Sequence, residues 1–407
     1  MGTFSRNTLP SEIIAVRDTA RNALDPLKPA GKPEDSDESR CLALSSRTNA
    51  GRELPPYYLV YFLLVDLLGF PYLGRWEKTA WIVPVRIGGR LYGIEHRKMG
   101  LGVFAPALNP TATRSGTPTA QQEDDATEIV ACIRRAVTAA EPYFEWRAEQ
   151  AATGTHLNVL NRSPGLFSRY EFFRGRFLDL REEYQRRKDE REVTKTKHDF
   201  GEMTSVRFPA AHLSDEAHWN AQAAVDAFFS WTEHVFIHLA VLQGRAQTGA
   251  DVAELADSDW KSKFKGALDV TNPDSKKHYD ILLELRLQIR NFMAHGAFGK
   301  RGEAFEFHSG AGAVPLLLTG KQKHKYSFTG APAFADAKAI AKIDSFVKHL
   351  WSGSTAPAQE YIESGLPTIL SYVHDGTYAK AMASCKEMSE FLEHLMYRFD
   401  SAANMDW

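Results

Sequence analysis

NPDSKKHYDILLELRLQIRNFMAHG, residues 272–296, carries a helix start, an apolar stripe and a helix stop in one run. Asn272 is a cap-type residue, Pro273 is tolerated in a first helical turn, and Asp274 suits the positive end of the helix dipole. From Ile281 to Ala294 there is no helix breaker. Leu282, Leu285, Ile289, Phe292 and Met293 recur at helical spacing as an apolar stripe. At about 100° per residue, Glu284, Gln288, Asn291 and His295 form a polar row roughly opposite that stripe. Gly296 fits the left-handed position just past a helix end, so the helix is predicted to stop at His295. Unpaired carbonyls there favour the imidazolium, a proton donor or phosphate contact near neutral pH. Arg290 lies about 140° around the axis from His295, so the two meet only in a cleft that both enter, or across two subunits. Its planar guanidinium suits a phosphate oxygen.

Arg290-Asn291-Phe292-Met293-Ala294-His295 resembles the R-x4-6-H motif, in its Arg-Asn form, of the HEPN superfamily. These are small helical-bundle domains, many of them metal-independent endoribonucleases of prokaryotic toxin and anti-phage systems. The spacing by itself is unspecific, since Arg90/His96, Arg191/His198, Arg207/His212 and Arg301/His308 also satisfy it. Pro209 interrupts one pair, two lie in strand-like stretches, and one lies in a charge run without an apolar stripe. Only Arg290/His295 sits on an amphipathic helix. Upstream, Ala221–Gln243 reads as a second amphipathic helix and Trp260–Leu268 as a short one. Downstream, Asp336–Trp351 and Glu360–Tyr397 supply helical stretches, so the resemblance spans roughly 213–400.

The resemblance implies cleavage by the ribose 2′-hydroxyl, leaving a 2′,3′-cyclic phosphate, with no cofactor or metal required. His295 would move the proton. Arg290 would neutralise phosphoryl charge, and Asn291 would orient the histidine or the phosphate. Arg286, Glu284, Gln288 and Glu233 are expected as RNA-binding or supporting residues. The family's shared cleft implies a homodimer, and its biology implies a regulatory partner such as an antitoxin. Two other readings stand: a non-catalytic HEPN module that binds RNA or a protein, and a surface arginine plus a cap histidine on an ordinary core helix.

The chain has 407 residues, 43% hydrophobic content and a net charge of -2, enough for two cores but no broadly basic nucleic-acid surface. Any RNA site must therefore be local. Cys41, Cys132 and Cys385 are widely separated, which supports neither a disulfide framework nor a zinc cluster and fits a reducing cytoplasm. The start has no signal-like apolar core. The apolar run Tyr57–Leu68 contains Asp66, is too short to span a bilayer, and is expected to be a buried helix.

The fold class expected is mainly α: a C-terminal HEPN-like helical bundle with a small β-hairpin insertion, preceded by an α+β N-terminal domain. The divisions are 1–56, an irregular segment; 57–210, a sensing or regulatory domain; and 211–407, the helical domain. Within these, 26–56 and 106–125 read as irregular stretches. Trp81–Val85 and Leu91–His96 read as strands joined at Gly88-Gly89. Ala126–Ala140 and Phe167–Thr194 read as helices, the latter ending in a solvated charge run. Ala304–His308 and Val314–Leu318 form the hairpin after the motif helix, a structural unit or a lid. Two competing sites are set against the motif. His234 and His238, with Glu233 beside them, have a metal-compatible i, i+4 spacing but no third ligand. Glu95 and Lys98, with Asp66 and Glu77, resemble an acidic-plus-lysine metal-dependent nuclease pattern with its spacing off by one.

Overall fold

The computed structural model describes residues 9–75, 78–198, 201–295, 303–318, 326–328 and 335–404; at 198, 288–295, 303–304, 315, 317–318 and 402–404 it describes the backbone alone. The chain is mostly helical, 59% helix against 16% strand, so mainly α is the class. It divides into two compact units, Met1–Ala151 with Arg398–Trp407, and Ala152–Tyr397.

The first unit is a five-stranded antiparallel sheet with helices. Helix α1 spans Ser11–Ala23, strand β1 Lys28–Pro29, helix α2 Ser36–Ala43 and strand β2 Ser46–Arg47. Helix α3 (Tyr57–Tyr61) continues through a π-type segment, Phe62–Leu67. Strands β3 (Thr79–Ile87), β4 (Arg90–Arg97) and β5 (Gly100–Ala105) follow, then α4 (Ala120–Ala139) and α5 (Glu141–Ala152). The sheet order is β1-β3-β4-β5-β2. Gly88 and Gly89, at φ 53° and 82°, turn β3 into β4, where a side chain would be strained. Val83, Ile94 and Val103 lie side by side across three strands and are fully buried. They pack with Val60, Leu63, Leu64, Ile129 and Ile133 in one core, the half-buried sheet face that a period-two pattern produces.

Of the irregular segment expected over 1–56, the described residues, 9–56, hold helices and edge strands instead. Asp35 shows why: its side chain accepts the Asp37 N–H at 2.8 Å and caps α2, a local bond that outweighs the Pro- and Gly-rich composition around it. Likewise α4 starts six residues before the expected Ala126. Thr119 and Gln122 form a reciprocal capping box there, with bonds of 3.3 and 2.9 Å, and the second irregular stretch ends at Thr119.

The second unit is a helical bundle. Strand β6 is Asn158–Val159 and helix α6 Ser163–Arg187. Strands β7 (Glu192–His198) and β8 (Gly201–Arg207) pair antiparallel from Glu192↔Arg207 to His198↔Gly201. Helix α7 (Ala211–Leu242) precedes α8 (Gly249–Asp257), α9 (Trp260–Ala267) and α10 (Pro273–His295). Strands β9 (Glu303–Ser309), β10 (Gly312–Leu318) and β11 (Tyr326–Ser327) form a small antiparallel sheet. Helices α11 (Asp336–Leu350) and α12 (Ala356–Glu363), strand β12 (Thr368–Ile369), helices α13 (Ser371–His374) and α14 (Thr377–Ala381), and α15 (Cys385–Asn404) as far as Tyr397 complete it.

Helix α7 is the axis of this bundle. Phe228, Trp231, Phe236 and Leu239 are buried among Trp260, Phe264, Leu282 and Phe346, and α6 and α9 both pack along it. Asp344 of α11 ties in α6, accepting bonds of 2.9 and 2.7 Å from the Arg174 guanidinium and 3.0 Å from the Tyr170 hydroxyl. Because α6 packs on α7, the boundary expected at 210/211 falls inside this unit. The helix expected over Phe167–Thr194 ends at Arg187, where the chain turns into the β7–β8 hairpin, for which the sequence reading had no element. The stretch Glu360–Tyr397 is also broken, at Gly365, Pro367 and Gly376; Gly365 and Gly376 adopt φ 72° and 79°, and the segment between them pairs Thr368 with Val159. No helix among the described residues is long and apolar enough to cross a membrane.

Candidate functional site

Helix α10 begins as its sequence dictates. The Asn272 side chain accepts the N–H groups of Asp274 at 2.9 Å and Ser275 at 3.2 Å, and the helix runs from Pro273 to His295. Its apolar stripe is seated where it is described: Leu282 and Leu285 are buried with Tyr279. Glu284 is half-buried. Arg290, Asn291 and His295 fall in the last two turns of this helix; their side chains, with those of Gln288, Ile289, Phe292 and Met293, lie outside the described residues, as do Gly296 and Glu77.

One turn before Arg290, the structure brings two of the expected supporting residues together. Glu233 of α7 accepts a bond from the Arg286 guanidinium at 3.0 Å through Oε1 and from the Lys263 ammonium at 3.1 Å through Oε2. Arg286 also lies 5.9 Å from the Phe229 ring centre and 5.8 Å from that of Trp260, a contact range for cation–π attraction. Trp260 is held in turn by its indole N–H donating to Thr232 at 3.0 Å. Glu233 thus engages the motif helix through Arg286, off the polar row. Lys263 is marked in the sequence only by its i, i+3 spacing after Trp260. Beside this network a groove of about 480 Å³ is lined by Asp259, Trp260, Lys261, Leu283, Arg286 and Leu287.

The competing histidine pair is engaged internally. The Arg162 backbone N–H donates to His234 Nε2 at 2.8 Å, which makes that nitrogen an acceptor. His238 Nε2, 3.0 Å away, must then carry the proton, leaving His238 Nδ1 to accept from the Thr368 hydroxyl at 2.6 Å. A proton added at His234 Nε2 would face the Arg162 N–H, and His238 itself is fully buried, where a charged ring loses its hydration. Burial, and then the neighbouring His234, push His238 down to about 3; burial, and then Arg162, lower His234. The pair ties α7 to β12 and to the chain entering α6. Among the described residues no group of three His, Cys, Asp or Glu side chains is placed to hold a metal ion.

Glu95 and Lys98 are not brought together as a nuclease pattern needs. Glu95 is fully buried on β4, its carboxylate accepting from Ser45 Oγ at 2.9 Å and Arg97 Nε at 2.7 Å. Lys98 lies past the strand end in an exposed turn. Burial raises the Glu95 carboxyl, opposed by Arg97 and Ser45. Asp66 faces Tyr143 at 3.3 Å and Arg147 at 3.5 Å instead. Comparison with protein-family models, with curated proteins and with solved structures finds no match to the chain.

Proposed function

We propose that the chain is a metal-independent endoribonuclease of the HEPN type, acting from the C-terminal end of α10 as a toxin or anti-phage effector in the cytoplasm. The observation that carries this reading is the helix itself. It spans Pro273–His295, buries Leu282 and Leu285, and so carries Arg290, Asn291 and His295 on its final turns rather than in a strand or a loop. In the proposed reaction the 2′-hydroxyl attacks the adjacent phosphorus and the 5′-oxygen leaves. His295 takes and returns the proton, Arg290 meets the charge on the phosphoryl oxygens, and Asn291 orients one or the other. Glu233, Lys263 and Arg286 support the helix one turn away, and two copies of the chain share one cleft.

The test is cleavage of RNA by the purified full chain in excess EDTA, with the ends of the products identified. Products bearing 2′,3′-cyclic phosphate and 5′-hydroxyl ends are expected, and a 2′-deoxy sugar at the scissile position should block cleavage. His295→Ala and Arg290→Ala should each lower the rate by about a hundredfold or more. Products with 5′-phosphate, or wild-type rates in either variant, would end this assignment; intact RNA bound without cleavage would leave a non-catalytic HEPN module.

A further inference from the structure

In the first unit, β3, β4 and the segments around Lys32 and Leu73 enclose a cavity of about 590 Å³, within the roughly 300–1,000 Å³ of small-molecule sites. It lies on the sheet face away from the main core, where Glu95 sits opposite Ile82 and Gly102. Two glycines make that face deep enough for polar side chains. A Cβ on Gly93 would come within 2.7 Å of Glu95 Oε1, and one on Gly102 within 2.6 Å of Arg47 Nε.

The described lining is lopsided in charge: Lys32, Lys78 and Arg97 against the single carboxylate Glu95, in a chain whose net charge is -2. Arg97 is held in place before anything binds. Its Nε donates to Glu95 at 2.7 Å, a terminal nitrogen donates to Ser45 Oγ at 2.9 Å, and the guanidinium lies 4.0 Å above the Phe104 ring centre. Lys78, at the rim, is the one non-glycine residue with positive φ among the described residues, at 62°. Strain of that kind collects at ligand clamps. Leu42, Leu73 and Ile82 supply the apolar part of the lining.

We propose that this cavity binds a small organic phosphate, with the phosphate met by Lys32, Lys78 and Arg97 and an apolar or aromatic body against Leu42, Leu73 and Ile82. A planar fork and two point charges match a tetrahedral dianion better than a monoanionic carboxylate, and the apolar wall distinguishes the ligand from inorganic phosphate. The site is independent of α10 and of the cleavage reaction.

The test is calorimetric titration of the full chain with phenyl phosphate, AMP, inorganic phosphate and phenol. Phenyl phosphate or AMP should bind, and the tighter of them should exceed inorganic phosphate and phenol by about tenfold. Lys32→Ala with Lys78→Gly should weaken that binding by at least about tenfold. Both side chains are exposed and glycine relieves the positive φ, and the melting temperature without ligand separates lost binding from a lost fold. If AMP binds and phenyl phosphate does not, the ligand is a nucleotide. Failure of both at millimolar concentration, equal binding of inorganic phosphate, or undiminished binding by the double variant would each overturn the site.

Discussion

Glu233 shows what one side chain does for the motif helix. It accepts from Arg286, which is partly exposed, and from Lys263, whose side chain is only 8% exposed. Charge-assisted bonds of this kind contribute about 1.5–3 kcal/mol each, and the loss is larger where a buried partner is left unpaired. Glu233→Ala should therefore cost about 2 kcal/mol in urea unfolding, while Glu233→Gln, which still accepts, should cost less. Equal stability of Glu233→Ala and the wild type would show that the network does not hold the helix. The histidine pair acts in the opposite sense. His238 stays neutral in the folded chain down to about 3, whereas in the unfolded chain it titrates near 6.5. Below that value the unfolded state holds more protons, so stability is complete above about pH 6.5 and declines as pH falls, by up to about 1.4 kcal/mol per unit for each such histidine. Denaturant melts at pH 7, 6 and 5 should display this slope, and His238→Gln should flatten it. An unchanged slope in the variant would assign the pH dependence elsewhere.

Elements differ in how far their residues announce them. Helix α10 was legible at its start and along its first turns, because its start is a local capping bond and its stripe a local periodicity. Asn272→Ala should accordingly cost about 1 kcal/mol, read from the shift in the denaturation midpoint. The β3–β4 hairpin was legible from Gly88-Gly89 for the same reason. Helix α2 was hidden by composition, since Pro, Gly and Ser around it outweigh the single Asp35 cap in any average. Helix α6 was read too long because alternating charge at helical spacing says nothing of where the run stops. The β7–β8 hairpin was missed because none of its described side chains is buried, so no apolar alternation marks it. Two strands alone are marginally stable in water, and hydrogen exchange in Glu192–His198 and Gly201–Arg207 should be among the fastest of the strands and helices. Strong protection there would mean that another chain covers the hairpin. In the candidate site the motif and Glu233 were legible as residue types, while the role of Lys263 depends on how α7 and α9 pack, which no local pattern encodes.

At the scale of the whole molecule, two separate cores imply two separable unfolding events. The Trp231, Trp260 and Phe346 core belongs entirely to Ala152–Tyr397, so a fragment of that span should melt cooperatively by tryptophan emission; a gradual, non-cooperative loss would show that it depends on the first unit. Assembly makes the sharper claim. Arg290 and His295 lie about 140° apart on one helix, and the proposal places them in a cleft shared by two copies, Arg290 from one meeting His295 from the other. Under two-fold symmetry a dimer then holds two such sites. His295→Ala destroys both in its own homodimer, and so does Arg290→Ala. In a mixed dimer one site receives both substitutions and the other receives neither. Mixing the two inactive proteins under conditions that exchange subunits should therefore restore about a quarter of wild-type cleavage, since half the dimers are mixed and each has one intact site. A site formed within a single copy would stay dead at every mixing ratio, and that outcome would retire the shared cleft while leaving the metal-independent chemistry to its own test.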